Sequence, residues 1–353
     1  MTESSADKRV YDVTVIGAGP VGLFAAYYAG LRDLPVKIVD SLPYIGGQVN
    51  TLYPKKPVYD VAGCPAVVGE DLVKNLVEQV QQYNPAIVLG ERIVELHRQE
   101  GGHYLLKGDH GSEHFTKTII ITAGIGVFAP RKLEKPEVEA WLGRGFYYGV
   151  LDPEEFRGKK VMLIGGGDTA LDWVLALKGI AKSLVLVHRS AKFTAHEDSV
   201  KKLMASGIPV FMTTEVEKVA GNSRIERAST LNKLTQEKKE FDVDAVVCCI
   251  GYAANLGPLR NWGLEFGPGH TIKVNHHMET NLPGVYAAGD IAGFEGKLKL
   301  IATGFGEAAT AANYAAHHIN PSAKIFPGYS TNFVEEKKAK EAERQPSTRN
   351  LTP

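Results

Sequence analysis

Two short glycine-rich stretches carry the chemistry of this chain. The first, Gly17-Ala18-Gly19-Pro20-Val21-Gly22, is a complete G-x-G-x-x-G turn. Gly17 permits a tight turn, Gly19 lets backbone approach a pyrophosphate, and Gly22 lets a helix pack close to the preceding strand. The helix start offers free N–H groups and the positive end of a dipole to phosphate oxygens. Asp40 follows 23 residues after Gly17, where a carboxylate accepts hydrogen bonds from a ribose. With strand, helix and distal acid in place, the turn reads as a dinucleotide site; the alternative is a merely structural turn. The second stretch, Gly165-Gly166-Gly167-Asp168-Thr169-Ala170, is a G-x-G-x-x-A variant. Its following strand ends not in an acid but in His188-Arg189-Ser190-Ala191-Lys192. An acid there would bind a free 2′-hydroxyl and repel a 2′-phosphate, whereas Arg189 and Lys192 would attract the phosphate. This reads as NADP(H) contact, with NAD(H) or a plain basic loop as alternatives.

These turns need strands and helices to hold them. "YDVTVIG" reads as a buried strand, "PVGLFAAYYAGLR" as the helix behind it and "VKIVDS" as the next strand. Leu72, Leu76, Val77 and Val80 have helical spacing. A meander of short strands comes next, closed by a buried strand ending at Ala123-Gly124. The same order returns from "KKVMLIGGGD" to "DAVVCCIGY", starting 148 residues after the first copy. The expectation is an α/β chain with a duplicated, Rossmann-like dinucleotide-binding fold. "LPGVYAAGD" returns to a strand and turn, and "TGFGEAATAANYAAHHI" to an Ala-rich helix. Two dinucleotide sites suggest a bound flavin and a diffusing nicotinamide, since a flavin converts hydrides into single electrons. Asp290 stands at a strand end, within reach of a ribityl or pyrophosphate group of FAD; an ordinary turn Asp is the plainer reading.

Composition narrows the class. The 353 residues are 44% hydrophobic and 23% charged, with 40 basic and 40 acidic residues. That balance argues against a nucleic-acid partner and requires any electrostatic partner to meet a local patch. No apolar run reaches the roughly 18 residues of a membrane span. The polar N-terminus lacks a signal-peptide core, and three cysteines (Cys64, Cys248 and Cys249) form no framework, so a cytoplasmic location is expected. His110 and His114 flank a hairpin glycine and read as surface loop, and no metal site is expected. Residues 335–345 read as a solvated helix or tail, and the last residues as disordered.

The GAGPVG, TAG, GGGDTA and AAGD elements, in this order, resemble the thioredoxin-reductase-type flavoproteins from about residue 10 to 330. Those enzymes carry a Cys-x-x-Cys where this chain has Tyr147–Pro153, so dithiol chemistry has no place here. Cys248 and Cys249 do not replace it, because adjacent residues of an apolar strand point to opposite faces. "GGQVNTLYPKKPVYDVAGCP", "AGIGVFAPRKL", "GGGDTALDW" and "AAGDIAGFEGKLKLIATGFGEA" resemble the dithiol-free branch, the thioredoxin-reductase-like ferredoxin–NADP reductases. The resemblance implies two three-layer, Rossmann-like domains of the thioredoxin reductase type. By range, 1–126 and 281–328 form the FAD-binding domain, 127–280 the NADP(H)-binding domain, and 329–353 a C-terminal extension. It implies that FAD is held by Asp40, Gln48, Tyr53, Ile93, Phe128, Asp290 and Thr331. It also implies a homodimer in which Tyr329 stacks on the partner subunit's flavin, while Tyr53 stacks on its own.

The implied reaction joins nicotinamide C4 to flavin N5, then passes single electrons to ferredoxin or flavodoxin, with no side chain as catalytic acid, base or nucleophile. Ser190 and Thr194 occupy places that often hold arginine in the family, which points to a modest NADPH preference. An acidic carrier calls for a basic surface, for which Lys55-Lys56 and Lys297 with Lys299 are the candidates. Two rivals remain: an NAD(P)H-dependent reductase of quinones or small disulfide carriers, and a flavin redox sensor that does not turn over.

Overall fold

The computed structural model describes residues 9–150 and 152–331. The charged stretch 335–345, the terminal residues and most of the extension lie outside the described residues. The chain forms two compact units. The first gathers the described residues through Asn50, Lys56–Gly126 and those from Leu256 on; the second comprises Thr51–Lys55 and Val127–Asn255.

In the first unit, the strands Ala86–Leu89, Val36–Asp40, Val10–Ile16 and Glu113–Ile121 lie side by side and parallel. Buried on both faces, such strands must be continuously apolar, which is why "VTVI" and "TIII" do not alternate. The strand Glu113–Ile121 is shared. Its first half pairs antiparallel with Tyr104–Gly108, which continues to Ile93–Arg98, and its second half pairs parallel with Val285–Ala287. The helix Pro20–Leu31 covers one face with Gly69–Gln81 and Ile301–Ile319. Gly304, Ala308, Ala311, Ala312 and Ala315 form a buried small-residue stripe on the last of these, opposite Gly22, Ala25, Ala26 and Ala29. Small side chains on both helices permit close approach.

The other face carries a core of Ile93, Tyr104, Leu106, Ile119 and Ile121 with Leu256, Leu259, Trp262 and Ile272. Residues 256–280 therefore belong with the first unit, not with the second as the sequence suggested. Their apolar residues have their burial partners in the first meander, and the chain returns at Asn255.

His114 corrects a second expectation. His110 is exposed, but His114 is buried in its strand, with Nδ1 3.3 Å from Lys37 Nζ and Nε2 3.4 Å from Glu91 Oε2. A buried lysine and glutamate need a partner between them, and period-two alternation turns His114 inward to supply it.

The second unit repeats the plan. Phe146–Tyr147, Ala245–Cys248, Lys160–Ile164, Ser183–Val187 and Val210–Phe211 form a parallel sheet. The helices Asp168–Ala176 and Glu197–Ala205 close one core with Leu163, Leu171, Trp173 and Cys249. The antiparallel strands Thr214–Gly221, Ile225–Asn232 and Lys238–Asp242 form a meander. Val216, Val219 and Ile225 from the first two of these strands close the opposite core with Met162, Val246 and Cys248. Cys248 and Cys249 thus face opposite cores.

Candidate functional site

At the first cradle, Gly17 and Gly22 have internal reasons to be glycine. Gly17 stands at φ +114°, and a Cβ there would lie 2.5 Å from the Thr122 carbonyl oxygen. A Cβ on Gly22 would lie 1.8 Å from the Gly17 oxygen. Thr122, which sequence reasoning passed over, donates its hydroxyl to that same oxygen. Gly19 differs: a Cβ there would meet nothing nearer than the Gly47 Cα, at 4.0 Å. The protein itself does not require glycine at this position, so its lack of a side chain suits a group from outside the chain. The surrounding N–H groups at the helix start make that group an anion. This cradle fits a dinucleotide pyrophosphate.

Asp40 lies buried at the rim. Its carboxylate accepts the N–H of Ala18 at 2.5 Å and of Leu42 at 2.8 Å. Burial raises its pKa and outweighs the two N–H bonds that lower it. Asp40 therefore clamps the glycine turn as well as standing where a ribose would meet it. Val21 packs into the space left by two glycines: a Cβ on Gly289 would lie 3.2 Å from Val21, and one on Gly304 2.5 Å. Its side chain joins the turn at Asp290 and the last helix to the cradle.

Gln48 sits on the short helix Gly47–Leu52, its amide nitrogen 2.8 Å from where a Gly124 Cβ would stand. Gly46 ties that helix to the cradle through an N–H bond to the Ala18 oxygen at 2.9 Å. Tyr53 is partly buried in the segment that groups with the second unit. Asp290 is partly exposed in the turn Gly289–Ile291. The side chain of Ile93 is consumed by the core. Phe128 has its backbone in the strand Val127–Pro130, opposite Ala254; its side chain lies outside the described residues.

Tyr329 and Thr331 are not brought to this cradle. Arg32, at the C-terminal end of the helix whose other end forms the cradle, holds the carbonyl oxygens of Lys324 and Ile325 at 2.9 and 3.2 Å. A 12-residue helix is about 18 Å long, so the tail departs from the far end. Tyr329 is 74% exposed, edge-on to Phe326, and Thr331 is exposed.

The second cradle has the same logic. A Cβ on Gly165 would lie 2.4 Å from the Cys249 oxygen, whereas one on Gly167 would meet only Thr194 Oγ1, at 3.6 Å. Asp168 and Thr169 are exposed at the helix start, and Asp168 accepts the His196 N–H at 2.8 Å. His188 corrects the sequence reading. Its ring is buried beneath Gly166, stacked on Phe193 and 3.0 Å from the Lys192 oxygen through Nε2. It is the floor of the loop, covered by Phe193 and the Gly166 backbone. Arg189 and Lys192 are exposed above it. Thr194, in a place where arginine is common, donates its N–H at 2.8 Å and its hydroxyl at 3.3 Å to the Gly166 oxygen. That threonine pins the loop to the cradle.

The two adjacent thiols of the second unit do not stand ready for electrons. Tyr148 donates to Glu139 at 2.5 Å, and burial with that bond raises its pKa. Burial likewise pushes the Cys248 and Cys249 thiols up to about 12, so both stay protonated at neutral pH. We expect a disulfide reagent to titrate Cys64 alone in the native protein and all three thiols after unfolding. Three fast equivalents in the native state would contradict this. Among the described residues, no cluster of histidine, cysteine and carboxylate side chains could hold a metal.

Lys297 also departs from expectation. Its side chain is only 7% exposed and is paired with Glu307, so it cannot face a carrier. Glu307 was legible as an acid within the Gly304–Ala308–Ala311 stripe; that stripe faces inward, so an acid on it needs a buried cation.

The chain matches the pyridine nucleotide-disulphide oxidoreductase family over residues 11–314 and belongs to it. It is thus an oxidoreductase of the FAD- and pyridine-nucleotide-using kind, with the fold of thioredoxin reductase. It is 47% identical to a ferredoxin–NADP reductase of Chloroherpeton thalassium, over 94% of this chain and 98% of that protein. It is also 47% identical to a ferredoxin–NADP reductase of Thermus thermophilus, over 91% and 96%. Among solved structures it resembles thioredoxin reductase from T. acidophilum, with a TM-score of 0.75 and 26% identity over 89% of this chain and 100% of that one.

Proposed function

We propose that this chain is a homodimeric ferredoxin–NADP reductase: it exchanges a hydride with NADP(H) and single electrons with ferredoxin or flavodoxin. One observation carries the reading. The two cradles differ in the group at the end of the next strand, a buried acid at Asp40 in one and an exposed basic loop at Arg189 and Lys192 in the other, and the adjacent thiols of Cys248 and Cys249 are buried. Bound FAD supplies the conversion between two-electron and one-electron chemistry. Gly17, Gly19, Gly22 and the helix start hold its pyrophosphate, Asp40 a ribose, and Gln48, Tyr53 and Asp290 its remaining polar and aromatic edges. Ile93 and Phe128 are assigned to the same cofactor by the family resemblance. Gly165, Gly167 and the Asp168–Thr169 helix start hold the nucleotide pyrophosphate, and Arg189 with Lys192 its 2′-phosphate. The test is NADPH-driven reduction of purified ferredoxin, followed by absorbance. Reduction of quinone but not ferredoxin would move the chain to the rival class, which the loss of arginine at 190 and 194 favours. A flavin left unbleached by anaerobic NADPH would make it a sensor.

Homodimerisation is supported by the tail, which leaves the first unit at the end of the helix away from its own cradle. Tyr329 and Thr331 therefore serve the partner subunit. Cutting after Pro327 keeps the Arg32 clasp and removes both. The truncated protein is expected to stay yellow and to react differently with nicotinamide and carrier; unchanged kinetics would refute a role for the tail. Three free thiols suit a reducing, cytoplasmic setting; among the described residues no helix is long and apolar enough to cross a membrane. With Lys297 buried, the carrier-facing charge falls to Lys55, Lys56 and Lys299, all exposed. Reversing Lys55 and Lys56 to Glu is expected to slow carrier reduction most at low ionic strength, because steering is screened within about 10 Å in salt. An artificial neutral acceptor should barely respond; equal effects on both would remove this surface.

A further inference from the structure

The buried pair Lys297–Glu307 has no place in the reaction as described, yet it touches the turn that carries Asp290. Both side chains are nearly enclosed, at 7% and 8% exposure. Glu307 uses both carboxylate oxygens: Oε2 accepts the N–H of Gly289 at 2.8 Å, and Oε1 accepts from Lys297 Nζ. Gly289 stands at φ +79°, a backbone conformation that favours glycine, and Asp290 is the next residue. The loop is fixed at its other end as well. Lys297 donates its backbone N–H to the Phe294 oxygen at 3.3 Å and lays its ammonium over the Phe294 ring at 5.6 Å. Thr303 donates its hydroxyl to the oxygens of Leu298 and Leu300 at 2.8 and 2.9 Å. One carboxylate thus joins three elements: the Gly289–Asp290 turn, the loop 294–300 and the helix Ile301–Ile319.

We propose that the Lys297–Glu307 pair is the positioning element of the Asp290 turn, fixing where the Asp290 carboxylate stands to receive FAD. It acts through charge balance and the Gly289 hydrogen bond, not through bulk. The proposal rests on the reading of Asp290 as an FAD-holding residue. A buried carboxylate that loses its cation is left uncompensated, and so is the cation that loses its carboxylate; replacing both by neutral groups avoids the penalty. Glutamine at 307 keeps an amide oxygen for the Gly289 N–H.

The test measures FAD release from the holoenzyme by the rise of free-FAD fluorescence on dilution, beside the thermal melting of each variant. Glu307→Ala and Lys297→Met are each expected to release FAD about tenfold faster. The double variant Lys297→Met with Glu307→Gln is expected to return within about threefold of the native rate, because the Gly289 bond is kept and no charge is stranded. The KM for NADPH should stay unchanged throughout. Asp290→Asn separates the two readings. If it speeds FAD release while Glu307→Ala does not, the pair has no positioning role and Asp290 keeps its own. If Asp290→Asn releases FAD at the native rate, the reading of Asp290 fails and the proposal with it. A double variant as leaky as the singles, with melting lowered in parallel, would reduce the pair to packing and overturn the proposal.

Discussion

Gly19→Ala is expected to keep its stability and lose FAD, while Gly22→Ala loses both stability and FAD. A methyl on Gly19 meets the protein only at 4.0 Å, and Gly19 stands at φ −73°, which alanine adopts freely. Without flavin, Gly19→Ala should therefore be as stable as the parent or up to about 1 kcal/mol more so, from the smaller entropy of its unfolded chain. The methyl occupies the space a pyrophosphate needs, so FAD affinity should fall by about 3 kcal/mol, roughly a hundredfold. On Gly22 the methyl would stand 1.8 Å from a backbone oxygen that cannot move aside. Forcing the helix off the strand should cost about 3 kcal/mol or more. Denaturant titration of the flavin-free proteins, with flavin content on purification, reads both effects. Equal stability losses in the two variants would show that Gly19 serves the protein and not a ligand.

Arg189→Ala should raise the KM for NADPH by about 10- to 100-fold, the loss of about 1.5–3 kcal/mol for charge-assisted bonds to a phosphate. The KM for NADH should hardly change, because the bonds lost belong to the 2′-phosphate. Arg189 is the only arginine in a loop whose floor is the buried His188 ring. The two places where the family often has arginine then behave differently. Ser190 is exposed, so Ser190→Arg should add a phosphate contact and raise the NADPH preference up to about tenfold. The Thr194 hydroxyl is engaged by the Gly166 oxygen, so Thr194→Arg should loosen the loop and raise the KM for both nucleotides. Steady-state kinetics with each nucleotide decide. An Arg189→Ala effect of equal size on NADH and NADPH would mean that the loop does not read the phosphate.

Much of the site was legible in the sequence because local rules govern it. A strand, a glycine turn and a helix succeed one another within about 20 residues in each cradle, so type and spacing alone located Gly17–Gly22, Gly165–Ala170 and Asp40. The duplicated order of apolar runs implied a dinucleotide-binding plan twice, and the adjacency of Cys248 and Cys249 placed them in opposite cores. The missing dithiol is likewise a matter of residue type.

What the sequence left open depends on residues far apart in the chain. His188 looked like a ligand by its place in the loop, but Gly166, 22 residues earlier, leaves room for its ring and buries it. His114 looked like hairpin surface until Lys37, 77 residues away, claimed it as a partner. Residues 256–280 changed unit because their apolar side chains find their burial partners in a meander formed more than 100 residues earlier. Lys297 looked like docking charge and is instead neutralised by Glu307 on the next helix. Spacing determined where backbone could receive phosphates. Only tertiary structure decided which polar side chains were left to face a ligand, because a buried charge takes whatever partner the fold brings beside it.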